Sequence, residues 1–254
     1  MPRTDKTMAA EQVPSPSSIR NGSLDLIKWL AMLTMVMDHL RYIWPEANGL
    51  YVPGRIAFPF FCLAIAANVA RSRVGDVFTA ENARYLGWLL LFAALSEVPY
   101  RSYFYGTTSL NVLPTLLLGL VIAWGVHHQT REACVMALAA AALAFVLDGP
   151  LMYGFIGALV PAALLVAIRQ PGLLWLLPAA LCVLMNARDH LLSGVASYQL
   201  YPILVLATAF VAPLFGLWLL RQSTGFNVWP VRRWGYIFYP VHLVILQLVR
   251  IATL

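Results

Sequence analysis

Residues 24–44 read LDLIKWLAMLTMVMDHLRYIW, and this stretch decides the fold. Charges sit at its two ends, Asp25 and Lys28 before and Asp38, His39 and Arg41 after, with an apolar run between them. Crossing a hydrocarbon core of ~30 Å takes about 20 mostly apolar residues in a helix, and the stretch from Leu24 to Trp44 has that length. On a helix, Asp25, Lys28, Met32, Met35 and His39 follow steps of three and four and share one face.

The rest of the chain repeats the pattern. Hydrophobic residues make up 61% of the 254 and charged residues 11%, with a mean hydropathy of +0.74. A soluble domain carries about 25% charged residues to cover its surface, so the expected fold class is all-α, a polytopic integral membrane helical bundle. About nine transmembrane helices are expected: Leu24–Trp44, Arg55–Arg71, Tyr85–Tyr100, Leu110–Val126, Cys134–Leu147, Leu151–Ile168, Leu173–Asn186, Tyr201–Leu220 and Trp234–Ala252. The fifth and seventh are short for a span. Pro and Gly punctuate the joints at Pro45, Pro53-Gly54, Asp148-Gly149-Pro150 and Pro171-Gly172. Residues 1–22, with Pro14-Ser-Pro-Ser-Ser18, read as a disordered cytoplasmic tail, and residues 23–254 as a single transmembrane domain. The first helix reads as an uncleaved anchor, since its apolar run leads into Asp38-His39 and not into a small-residue cleavage site.

Nine crossings place twelve of the 17 Lys and Arg on one side and five on the other. Basic residues are retained in the cytoplasm, so the amino terminus is expected there and the carboxyl terminus outside. The net charge of +6 comes with no basic stretch interleaved with aromatics, which argues against nucleic acid. Cys62, Cys134 and Cys182 lie in apolar runs without CxxC spacing and read as packing residues. HxxxH and HExxH are absent too, so no metal site is expected.

Ionisable groups inside a bilayer cost several kcal/mol and usually mark function or a buried pair. In this topology they gather at one depth in the outer half: Asp38, His39 and Arg41, then Arg55, Glu97 with Arg101, Asn111 with Thr115, Asp148 with Tyr153, and Asn186. Tyr239 and His242 sit inside the last apolar run, where Pro240 is expected to free a carbonyl near the imidazole. Asp38 could equally pair with Arg41 or Arg55, and Glu97 with Arg101. His127-His128 read as solvated residues of a cytoplasmic turn, and Arg188-Asp189-His190 as an exposed loop cluster. An imidazole can take a proton from an amine or hydroxyl, and an arginine fork can hold a phosphate or carboxylate. These residues leave a membrane enzyme, a transporter and a non-catalytic assembly factor open.

The elements Asp25-Leu-Ile-Lys28, Met35-Val-Met-Asp38-His39, Gly54-Arg55-Ile-Ala57-Phe58-Pro59-Phe-Phe61, Asn111-Val-Leu, Gly149-Pro150 with Tyr153-Gly154, and Phe238-Tyr239-Pro-Val-His242-Leu resemble the TraX family of conjugative plasmids, from about residue 24 to the end. The resemblance implies an inner-membrane acetyltransferase that N-acetylates the amino terminus of pilin with acetyl-CoA as donor. On matching positions it implies His39 as general base oriented by Asp38, with His242 closing the catalytic group. It implies Arg55, Tyr239 and Asn111 on the side of acetyl-CoA, with Arg55 facing CoA phosphates or the developing oxyanion.

Overall fold

The apolar runs fold as helices. The computed structural model describes residues 22–253 and, among the described residues, contains no strand. The tail expected before Gly22 lies outside them. Helix α1 (Gly22–Leu40) leads through a 3-10 turn (Pro45–Leu50) into the single turn α2 (Tyr51–Gly54) and then α3 (Ala57–Ala70). There follow α4 (Ala80–Tyr103), α5 (Val112–His128), α6 (Arg131–Val146) and α7 (Gly154–Arg169). A 3-10 turn (Leu173–Trp175) opens α8 (Leu176–Leu184), and α9 (Asp189–Ala196), α10 (Leu200–Leu220) and α11 (Trp234–Thr253) complete the chain.

Local chemistry sets several boundaries. Thr79 accepts from the Asn82 amide, Asn111 from the Leu113 amide and Thr130 from the Ala133 amide, capping α4, α5 and α6. Each such cap stabilises a helix start by about 1 kcal/mol. α1 ends earlier than expected: residues 41–43 form a turn, and the His39 carbonyl accepts from both the Tyr42 amide at 3.0 Å and the Tyr103 hydroxyl at 2.7 Å. α4 is longer than expected at both ends, and the seventh expected segment is a 3-10 turn plus α8, ending at Leu184. Twelve helical residues rise only about 18 Å. The Arg188-Asp189-His190 cluster is exposed, but it starts the helix α9 where a loop was expected.

α5 and α7 form the centre, with α3 and α6 against them; α11 runs along α4, and α10 covers α8. Hydrophobic burial does little to join helices in lipid, so close packing of small residues must. A Cβ on Gly119 would stand 2.7 Å from Pro161 Cγ and 3.0 Å from the Ala158 carbonyl, which is how α5 and α7 approach so closely. The outside is the reverse of a soluble protein: Val98, Leu138 and Phe145 are 77%, 71% and 69% exposed. Cys62 and Cys182 are buried as expected, whereas Cys134 faces outward from α6.

Three helices are long and apolar enough to cross a membrane by length and composition: the continuous run Pro45–Ala70, and Leu200–Leu220 and Trp234–Thr253. Val112–His128, Gly154–Arg169 and Leu173–Leu184 are apolar but shorter. Each of the nine expected segments falls on a helix. α1 and α11 run parallel: the Trp29 and Trp234 rings lie 5.4 Å apart at their starts, and Arg250 near the end of α11 reaches the Tyr103 carbonyl.

Candidate functional site

The last turn of α1 and the middle of α11 meet through two imidazoles. His39 Nδ1 lies 2.9 Å from His242 Nε2, and both side chains are buried. His242 Nδ1 lies 3.0 Å from the Phe238 carbonyl one turn earlier on α11. A carbonyl only accepts, which fixes the tautomers. His242 Nδ1 carries a hydrogen and donates it; in the neutral ring Nε2 then accepts; His39 Nδ1 must therefore be the donor between them. The lone pair of neutral His39 is left on Nε2. The carbonyl that Pro240 frees belongs to Tyr236 by the helical count, so the imidazole uses a different carbonyl from the one expected.

Aromatic groups hold this arrangement. The Tyr103 hydroxyl anchors the His39 carbonyl, Phe104 meets the His39 ring edge-on at 5.2 Å, and Phe238 stacks on His242 at 5.2 Å. Tyr239 is buried with its ring 5.5 Å from His242.

Asp38 does not orient His39. Its Oδ1 accepts from Arg41 Nε at 3.2 Å and Arg55 Nη2 at 3.3 Å, so it pairs with both of the arginines weighed as partners. Neighbouring residues on a helix point about 100° apart and do not face each other. Gly54 makes the pairing possible: a Cβ there would lie 2.6 Å from Asp38 Cβ, so any side chain would push α2 and Arg55 away from the carboxylate. Arg55 Nη1 donates to Asn186 Oδ1 at 3.0 Å, and its guanidinium lies 3.9 Å from the centre of the Tyr51 ring. Arg55 Nε is buried without a hydrogen-bond partner. An unmet buried donor needs a reason, and a transient acceptor supplies one. Arg41 and Arg55 are both within electrostatic range of His39.

Asn111 is placed otherwise than expected. Its Nδ2 donates to Glu97 Oε2 at 2.7 Å and to the Ala93 carbonyl at 2.8 Å, while its Oδ1 caps α5. Both Nδ2 hydrogens are spent on clamping α4 to α5. Glu97 also pairs with Arg101 at 2.7 Å, as one of the expected alternatives had it.

A cavity of about 280 Å³ lies beneath the imidazoles between α1, α3, α4, α5 and α11. Lys28, Asn68 and Arg232 stand at one end; Met35, Phe238 and Tyr239 stand at the other, one layer below the histidine pair. The face of α1 with Lys28, Met32 and Met35 is one of its walls.

A family model described as TraX protein matches residues 23–250. The chain belongs to the TraX family. It is 32% identical to Protein TraX of Escherichia coli (strain K12) over 168 residues, 63% of this chain and 60% of that relative. It is 36% identical to a second Protein TraX of Escherichia coli over 70 residues, 27% of this chain and 26% of the relative. The matched part thus spans less than two thirds of each relative's length. No solved structure matches.

Against the TraX-like elements quoted above, the structure brings His39, His242 and Tyr239 into one cluster and Asp38 and Arg55 into an ion-paired group beside it. Tyr51, Tyr103 and Asn186 complete these groups. Asn186 and Tyr51 could have been sought as partners for a buried arginine; nothing in the sequence marks Tyr103. His127 and His128 depart furthest from expectation. They are 2% and 3% exposed, in the last turn of α5. His127 Nε2 meets Ser72 at its hydroxyl and carbonyl, both at 3.1 Å, and its Nδ1 contacts Arg169. Only Gln129 and Thr130 separate α5 from α6, so this turn is drawn in among the ends of α3 and α7.

Proposed function

We propose that this TraX-family protein is an integral membrane acetyltransferase that transfers the acetyl group of acetyl-CoA to the amino terminus of a conjugative pilin. The observation that carries the reading is the hydrogen-bonded relay Phe238 carbonyl, His242, His39, which leaves the lone pair of the buried His39 ring on Nε2, one turn of α1 beyond the Met35 end of an apolar cavity. A pilin amino group, with an ordinary α-amino pKa of about 7.7–8.0, attacks as the free amine. His39 Nε2 takes the proton it loses as the new C–N bond forms. The imidazolium so made is held by His242 through the same hydrogen bond. Arg55, with its unused Nε–H, stabilises the negative charge that grows on the carbonyl oxygen. When the C–S bond breaks, His39 returns the proton to the sulfur, giving the acetylated amine and free CoA thiol.

The reading includes nine membrane crossings, with α1, α3, α4, α5, α6, α7, α8, α10 and α11 alternating in direction, in the bacterial inner membrane with the amino terminus cytoplasmic. The basic bias favours that orientation. Helices as short as α8 are accommodated by local thinning of the bilayer and by the polar layer that meets their ends. The acceptor amine then approaches from the outer side, and cysteine accessibility at Asp38 and Arg55 from each face of the membrane measures this.

The deciding experiment is intact-mass analysis of a co-expressed pilin. The expected result is a gain of one acetyl group with the wild-type protein and none with His39→Ala. An unmodified pilin in both, with the protein folded and pilus assembly supported, overturns the catalytic reading in favour of an assembly factor.

A further inference from the structure

Resting on the acetyltransferase reading, we infer that the cavity between α1, α3, α4, α5 and α11 seats the thioester-bearing arm of the donor, inserted from the Lys28–Arg232 end. The phosphorylated end of the donor stays outside at those cations.

Size argues for an arm alone. Pockets for whole small ligands run to about 300–1,000 Å³, and this one holds about 280 Å³. A nucleotide with its phosphates does not fit in it; a narrow amide-containing chain does. Most of its lining side chains are apolar, among them Met32, Ile65, Leu89 and Leu116.

Length argues for the same occupant. Lys28 and His39 lie on one face of α1, eleven positions and a rise of about 16 Å apart, and the cavity wall covers the first seven of those positions, to Met35. A pantetheine arm from phosphorus to sulfur has about 13 bonds, and an extended chain of that many reaches about 15 Å. With its phosphate beside Lys28, its sulfur arrives at Phe238 and Tyr239, against the His39–His242 pair.

Charge fixes the direction of insertion. Lys28 is held between Asp25 Oδ1 at 3.7 Å and the Val231 carbonyl at 3.3 Å, which aims its ammonium across the mouth. Arg232 is exposed on the opposite lip, and Arg71 is within electrostatic range of Lys28. The far end, where Met35, Phe238 and Tyr239 stand, offers no cation on its lining. Donor and acceptor therefore approach the same imidazole pair from opposite ends of the bundle.

The test uses the full chain in nanodiscs, with CoA and pantetheine as probes. Arg232→Gln, which leaves the Lys28–Asp25 pair alone, and Lys28→Gln are each expected to weaken CoA binding about tenfold and to leave pantetheine binding unchanged. A second measurement avoids the risk of misfolding. Met32→Cys in a Cys134→Ser background is labelled with a small thiol reagent, and saturating CoA is expected to protect it at least tenfold. Unchanged CoA affinity in both charge variants, or no protection of Met32→Cys, overturns the cavity assignment even if pilin is acetylated. Protection by CoA with unmodified pilin keeps the assignment and removes the acceptor instead. Protection by added phospholipid but not by CoA gives the cavity to a lipid chain and overturns the proposal.

Discussion

Two pairs of buried histidines lie at opposite ends of the same bundle, and they are built on opposite logic. His39 and His242 come from helices 203 residues apart, nearly coplanar at 10°, and speak to each other through ring nitrogens. His127 and His128 are neighbours in sequence, their rings crossed at 87°, and His127 spends both nitrogens on Ser72 and Arg169. The first pair ends in a nitrogen left with its lone pair, one helical turn beyond a cavity. In the second, His127 alone latches the α3–α4 connection to the ends of α5 and α7, while both His128 nitrogens are buried without a hydrogen-bond partner. Burial of an imidazole is therefore no sign of chemistry in this fold; the direction in which its hydrogen bonds run is.

The largest expected effect breaks the symmetry between the pairs outright. His39→Ala removes the base, and general bases contribute about 10²–10⁴ in rate, so acetylation of pilin should fall by about a thousandfold while the thermal midpoint in detergent moves only modestly. A loss no greater than that of His127→Ala, measured per folded molecule, would mean that the two pairs do not differ in kind. Next comes His242, which acts through His39 and is a positioning residue. His242→Ala leaves the His39 tautomer unfixed and should cost about 10²-fold, the low end of what a general base contributes. His242→Gln keeps an acceptor for His39 Nδ1 and should recover a good part of that loss. Equal activity in the two variants would reduce His242 to packing.

Much of the fold was legible because it is a matter of solvent: apolar runs with Pro and Gly between them can hardly be anything but helices in a chain this short of charge. That Asp38, His39, Arg55 and Asn186 gather at one end of the bundle was legible for the same reason. The wiring inside it was not. Asp38 stands beside His39 in sequence and looked like its orienting carboxylate, yet adjacent helix positions diverge, so that error was avoidable from helix geometry alone. The true partner, His242, lies on a different helix, and no spacing rule connects elements so far apart in the chain. Asn111 looked like a ligand because it is polar at the head of an apolar run; the same position also marks a helix N-cap, and the cap is what the structure makes of it. His127-His128 looked solvated because they end a run, and only the packing of α3 and α7 around that end buries them.

At the other pair the expected effects are structural and smaller. His127→Ala takes their shared partner from the Ser72 hydroxyl and Arg169, which keep the Val69 and Val126 carbonyls. A buried group stranded outright costs about 1–3 kcal/mol. The cost should sit at the low end, since Arg169 is exposed and water can replace the ring. Unfolding in mild denaturant should report it, with acetylation per folded molecule unchanged.

The smallest effect tests why this end is buried at all. α5 and α6 are joined by Gln129, in the left-handed region at φ 55°, and Thr130, whose hydroxyl accepts from the Ala133 amide at 3.3 Å. So short a joint returns the chain at once and presses the His127–His128 turn inward. Thr130→Ala removes the cap but not the joint. N-cap losses run to about 0.5–2 kcal/mol, and a bond this long points to the lower figure. The start of α6 should fray, seen as faster amide exchange at Ala133 and Cys134, while His127 stays bonded to Ser72. If exchange instead rises at His127 and His128, the cap and not the brevity of the joint holds the latch closed. The second pair would then depend on a single hydroxyl, whereas the first rests on its own relay.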